Sequence, residues 1–111
     1  MSSNVRQLRE AGMAALHQGD VTGAEALLRR SVALSEAGGG VETATAHSVY
    51  RLGMALHEAG RTEEAAREFE KALTLVRDRA GCGSKLYRTI LGHFAEALPA
   101  RAPEWECAEA V

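Results

Sequence analysis

Apolar positions recur at helical spacing through most of the chain, and glycines interrupt them at regular places. The clearest stretch is 49–73, VYRLGMALHEAGRTEEAAREFEKAL. Val49, Leu52 and Leu56 mark one helix face, with Gly53 where a partner helix can come close. Gly60 breaks the pattern, and Thr62 with Glu63 and Glu64 reads as the start of the next helix. Ala65, Phe69, Ala72, Leu73 and Val76 form its apolar stripe. The stretch therefore predicts a helix, a tight turn and a second helix packed back on the first.

The same grammar runs on either side. Asn4 can cap a first helix, with Gln7 placed to complete a capping box, and Val5, Leu8, Met13 and Leu16 as its larger apolar members to about Gln18. Gly19-Asp20 ends it. The second helix starts at Asp20 or Thr22, Thr22 with Glu25 being the better box, and carries Ala24, Leu27, Leu28, Val32 and Leu34 to about Ala37. Gly38-Gly39-Gly40 reads as a loop, and the third helix runs from Val41 or Glu42 to Ala59. The fourth spans Thr62 to about Arg79, its solvated face laced by Glu63–Arg67 and Glu68–Lys71. Ser84 can cap a fifth helix with Leu86, Tyr87, Ile90, Leu91, Phe94 and Leu98, which Pro99 ends. The expectation is an all-α domain over 1–98 of about five helices, followed by a tail, 99–111, that is either loose or docked.

Comparing the chain with itself sharpens this picture. GMAALHQG at 12–19 aligns with GMALHEAG at 53–60, both glycines matching at an offset of 41 residues (Gly12 to Gly53, Gly19 to Gly60). At the same offset Ala24 falls on Ala65, Leu28 on Phe69, Ser31 on Ala72 and Val32 on Leu73. A third, partial copy begins at Leu91-Gly92 and stops after one helix. The pattern has a packing logic: Gly12, Gly53, Ala24 and Ala65 let helices approach, while Leu28 and Phe69 fill the space between hairpins. The order Leu52-Gly53, Gly60, Ala65, Phe69, Ala72 resembles a tetratricopeptide repeat. The period is longer than the usual roughly 34 residues, so the chain looks like the extended repeats of kinesin light chains and related bacterial proteins. Leu8 and Val49 stand where such repeats carry an aromatic residue, and the closing proline is missing. The resemblance implies antiparallel hairpins stacked as a short right-handed solenoid.

Composition excludes more than it assigns. With 46% hydrophobic and 25% charged residues the chain is ordinary for a globular domain, and with 5% aromatics its apolar share leans on alanine. A formal net charge of −2 gives no global basic field, which argues against nucleic acid and anionic membrane as partners. No apolar run approaches the roughly 20 residues that span a bilayer. No signal core is visible at the N-terminus, so the expected location is cytoplasmic. There, Cys82 and Cys107 are by default free thiols, although a bond between them cannot be read from the sequence. Neither sits in a CxxC pair. Cys82, between glycines near a helix start, could be a reactive thiol, but a plain loop cysteine is the stronger reading. None of the common nucleotide, hydrolase or metalloprotease motifs is present, so no catalysis and no cofactor are expected.

The resemblance implies a non-catalytic adaptor that binds a partner protein or peptide on the concave wall made by the first helix of each hairpin. Carried over, that wall presents Arg6, Arg9, Met13 and Leu16, then His47, Tyr50, Met54 and His57, then Leu86, Thr89, His93 and Glu96. Met13 and Met54 read equally well as core. They also occupy places where some relatives use asparagine to grip a peptide's terminal carboxylate, which argues against that mode here. His47 and His57 lie about 15 Å apart along one helix and cannot share an ion. His57 and His93 could face each other, but no further ligand spacing completes a metal site. Trp105, within PEWECAEAV, caps the array or docks on another chain. Two other classes remain open: a homo-oligomeric module whose solenoid ends stack, and a small-ligand-sensing helical domain with His57 and His93 near its pocket.

Overall fold

A computed structural model describes residues 4–38 and 42–107. It contains five helices, α1 (Val5–His17), α2 (Val21–Ala37), α3 (Glu42–Glu58), α4 (Thr62–Ala80) and α5 (Lys85–Ala97), followed by a short 3₁₀ turn, Ala102–Trp105. The proposed glycine loop at 39–40 and the Val41 start of the third helix lie outside the described residues.

Local chemistry accounts for the helix ends. The Asn4 side chain accepts from the Gln7 backbone at 2.8 Å while Gln7 Oε1 accepts from the Asn4 backbone at 3.1 Å, the capping box expected from the sequence. For α2 the expected Thr22–Glu25 box is replaced by Asp20, whose carboxylate accepts from Gly23 N–H at 2.9 Å. Glu25 is engaged elsewhere, with Arg29 at 2.8 Å and Arg61 at 2.6 Å. Ser84 caps α5 by accepting from Tyr87 N–H at 3.2 Å. The turns after α1 and α3 are copies of one another. Gly19 and Gly60 take positive φ of 86° and 79°. In both, the following residue's N–H reaches back to the third-last helical carbonyl, Asp20 to Ala15 and Arg61 to Leu56, each at 2.9 Å. The 41-residue repeat is thus reproduced in backbone hydrogen bonds.

Each hairpin closes around matched small and large residues. A Cβ on Gly12 would stand 2.7 Å from Leu28 Cγ, and one on Gly53 would stand 3.1 Å from the Phe69 ring. Ala24, Ala65, Leu28 and Phe69 are all fully buried. α2 packs on α3 to join the hairpins, and α5 packs on α4, with the Phe69 and Phe94 rings stacked at 5.3 Å. Gly92, the start of the partial third copy, is exposed with open space around it. Among the described residues α5 is followed by the short 3₁₀ turn, not by a second α-helix that could approach Gly92.

The helices form two layers. α1, α3 and α5 lie side by side, with α2 and α4 behind them. In the back layer, charges join one hairpin to the next. Glu25 meets Arg61, and Glu36 meets Lys71 at 3.0 Å. The expected pairing within α4 gives way to longer reaches: Lys71 turns to Glu36, and Glu63 meets Arg101 at 2.8 Å. Such exposed pairs contribute little stability, but they link the first hairpin to the second across the back layer.

Candidate partner-binding wall

The α1–α3–α5 layer carries two cavities. The larger, about 570 Å³, lies between α1 and α3 and is lined by Arg6, Arg9, Glu10, Met13, Ala14, His17, His47 and Arg51. The smaller, about 240 Å³, lies farther along α3 and reaches α5; Leu16, Met54, His57, Glu58, His93, Glu96 and Ala97 surround it and Phe69 lines it from behind. Its lining is mixed, with Leu16, Met54, Phe69 and Ala97 apolar and His57, Glu58, His93 and Glu96 ionisable.

The structure therefore brings together most of the residues that the sequence put on this wall. Arg6, Arg9, Met13 and His47 share the first cavity, and Leu16, Met54, His57, His93 and Glu96 share the second. Met13 is buried and Met54 half-buried. Tyr50 differs: it is 2% exposed and stacks on His93 at 5.5 Å, with His47 tilted against it at 5.9 Å. It is a packing residue that links α3 to α5. Thr89 is exposed, returns its hydroxyl to the Lys85 carbonyl at 3.0 Å and lines neither cavity. Leu86 packs half-buried against the core.

The sequence reading missed Glu10, Ala14, His17, Arg51, Glu58 and Ala97 among the lining residues, and two of these bear most on the first cavity. Arg51 follows His47 by four places and precedes Met54 by three, so helical spacing alone puts it on that stripe. His17 lies four residues after Met13, and its Nδ1 meets the Met13 carbonyl at 2.9 Å.

The electrostatics of the first cavity are lopsided. Arg9 Nη1 and Arg51 Nε are buried with no hydrogen-bond partner. Burial first, then the nearby Arg51 guanidinium, lowers the Arg9 pKa below its ordinary value. His47 is likewise held below the usual histidine value by burial, then by Arg9 and Arg51. Arg51 lies over the Tyr50 ring at 5.2 Å, a cation–π contact that fixes its direction.

The far end of the array is closed by residues 98–107. Tyr87 Oη donates to the Trp105 carbonyl at 2.5 Å, the Trp105 indole donates to Glu70 at 3.3 Å, and Arg77 lies over the indole at 5.1 Å. Cys82 and Cys107 form a disulfide, their Cα atoms 5.4 Å apart. This corrects the expectation of two free thiols, and with it the idea of a reactive Cys82. Spacing alone could not pair them, because the bond depends on the chain turning back after Pro99. Among the described residues no three of His, Cys, Asp and Glu are grouped to hold a metal ion, and no helix is long and apolar enough to cross a membrane.

A family model described as tetratricopeptide repeat matches residues 6–78, from the first turn of α1 to near the end of α4. α5 and the closing segment lie beyond the matched residues. No curated protein and no solved structure matches the chain.

Proposed function

We infer the role from one premise: the chain belongs to the tetratricopeptide repeat family, whose repeats generally mediate protein–protein contacts. On this reading it is a non-catalytic adaptor, and the α1–α3–α5 layer is the concave wall on which a segment of a partner protein lies. One observation carries the reading. Arg9 and Arg51 line a wall cavity and make no ion pair among the described residues, whereas in the back layer Glu25 and Glu36 already meet Arg61 and Lys71. Charged groups without partners beside an open cavity mark the side on which contact gains most. A cytoplasmic location would make the Cys82–Cys107 bond transient, whereas an oxidising compartment would make it permanent.

The test is recovery of partners by the tagged chain. Arg6→Glu, His57→Glu and His93→Glu together change the wall at positions outside the buried core. Arg30→Glu with Arg67→Glu does the same on exposed positions of α2 and α4. The wall variant is expected to lose partners that the back-layer variant keeps. Equal recovery by both would remove the wall from the mechanism.

A further inference from the structure

Arg9 and Arg51 face one cavity of about 570 Å³, and neither takes part in an ion pair among the described residues. Glu10, on the same rim, is already paired with Arg6 at 3.1 Å. Each of the two guanidiniums also has a buried N–H without an acceptor. Two costs therefore coincide in this cavity, cation–cation repulsion and unpaired buried donors. A ligand group that is anionic offsets the repulsion, and one that only accepts hydrogen bonds suits guanidiniums that carry more donors than the cavity has acceptors. A carboxylate has that chemistry, and its two oxygens match the guanidinium fork. Met13 supplies an apolar surface in the cavity, suited to the aliphatic stem of an acidic side chain.

We propose that this cavity binds an aspartate or glutamate side chain from an internal stretch of the partner peptide, held between Arg9 and Arg51 and resting on Met13. The proposal deepens the reading of the α1–α3–α5 layer as a partner wall and rests on it. Specificity follows from pairing: a glutamine of the same shape brings no charge, and its NH₂ adds donors to a cavity that already has a surplus.

The test is an NMR titration of the full isotope-labelled chain. The probes are three peptides Ala-Leu-Ala-X-Ala-Leu-Ala, acetylated and amidated so that no terminal charge remains, with X as Glu, Gln or phosphoserine. The Glu peptide is expected to shift the Arg9 and Arg51 Nε–H resonances and to bind roughly tenfold more tightly than the Gln peptide, the effect of a charge-assisted hydrogen bond. Arg9→Gln or Arg51→Gln, checked for an unchanged backbone spectrum, brings the Glu peptide down to the Gln level, while Arg9→Lys keeps part of the preference. Equal wall shifts from Glu and Gln peptides overturn the acid site and leave the wall reading standing. Tighter binding of phosphoserine than of Glu overturns the carboxylate assignment in favour of a phosphorylated segment. Wall resonances untouched by all three peptides also overturn it, and the partner-recovery comparison then decides the wall reading separately.

Discussion

Ser31 and Ser48 share a hydrogen bond of 2.6 Å between α2 and α3, with both side chains fully buried. Ser31 also donates to the Val5 carbonyl of α1 at 3.0 Å. A hydroxyl has one proton, so Ser31 donates to Val5 and Ser48 must donate to Ser31. Three helices are thus tied at one buried point. Ser35 and Thr45 repeat the link one turn along, at 2.5 Å. Ser31→Ala takes the acceptor from the buried Ser48 hydroxyl and the second donor from the Val5 carbonyl, and we expect a loss of about 1–3 kcal/mol in urea unfolding. The double variant Ser31→Ala/Ser48→Ala should cost less than the sum of the two single ones, because one orphaned group is removed with its partner. Strictly additive losses would show that the two hydroxyls act independently.

Three glycines in helices should respond to alanine in a fixed order. In a helix interior alanine is favoured over glycine by about 1 kcal/mol. Gly92 is exposed, with nothing within 4 Å of a new Cβ, so Gly92→Ala should stabilise by about that amount. At Gly53 the new atom comes within 3.1 Å of the Phe69 ring, which must give slightly, and the two effects nearly cancel. At Gly12 it comes within 2.7 Å of Leu28 Cγ, inside a fully buried contact, and overpacking of about 1–3 kcal/mol outweighs the helix gain. Thermal or urea midpoints should therefore fall from Gly92→Ala through Gly53→Ala to Gly12→Ala. A gain at Gly12 equal to that at Gly92 would contradict the close approach of α1 to α2.

That order also shows what could be read from the sequence and what could not. Gly12, Gly53, Ala24, Ala65, Leu28 and Phe69 announced the hairpins because close packing restricts residue type at a fixed period, and the turns at Gly19 and Gly60 needed positive φ. Gly92 carried the same letter without the same duty, since a repeat signal persists where its packing partner is missing. Helical spacing put Arg9, Met13, His47 and Met54 on one side of their helices, and in the structure each lines a cavity. It could not show that Tyr50 turns inward to stack on His93, because that depends on how α5 docks against α3. The Glu25–Arg61 and Glu36–Lys71 pairs were invisible for the same reason: the partners are 36 and 35 residues apart in sequence.

Trp105 is the chain's single tryptophan, which makes the closing segment easy to follow. It is half-buried, and the Cys82–Cys107 bond fastens its neighbourhood to the loop between α4 and α5. Opening that bond returns to the unfolded chain the freedom of a loop spanning 25 positions, worth about 3 kcal/mol in the chain-entropy account. We expect Cys82→Ser/Cys107→Ser, or the reduced protein, to lose about that much stability and to show red-shifted tryptophan emission as the segment loosens. Tyr87→Phe removes the donor to the Trp105 carbonyl but leaves the disulfide, so its emission should move less. Unchanged emission on reduction would mean that Glu70, Arg77 and Tyr87 hold the indole without the bond.

His47 gives the first cavity a pH signature. Burial, then Arg9 and Arg51, hold its pKa below the usual value near ~6.5. In the unfolded chain the imidazole takes up a proton as the pH falls through ~6.5, while the folded protein resists that proton until a lower pH. The unfolded state binds more protons in this window, so stability is fully present above it and declines as acid is added. The wild-type chain should therefore lose more unfolding free energy than His47→Gln between about pH 7.5 and about pH 5.5, with urea titrations at each pH as the measurement. Subtracting the variant removes the contributions of carboxylates common to both proteins. Equal slopes would mean that His47 titrates alike in the two states. A bound carboxylate changes the sign of the local field: placed between Arg9 and Arg51 it offsets the two charges that disfavour the imidazolium. An acidic peptide in the cavity should then raise the His47 pKa, which NMR titration of its ring protons can follow directly, while the glutamine peptide should leave it where it was.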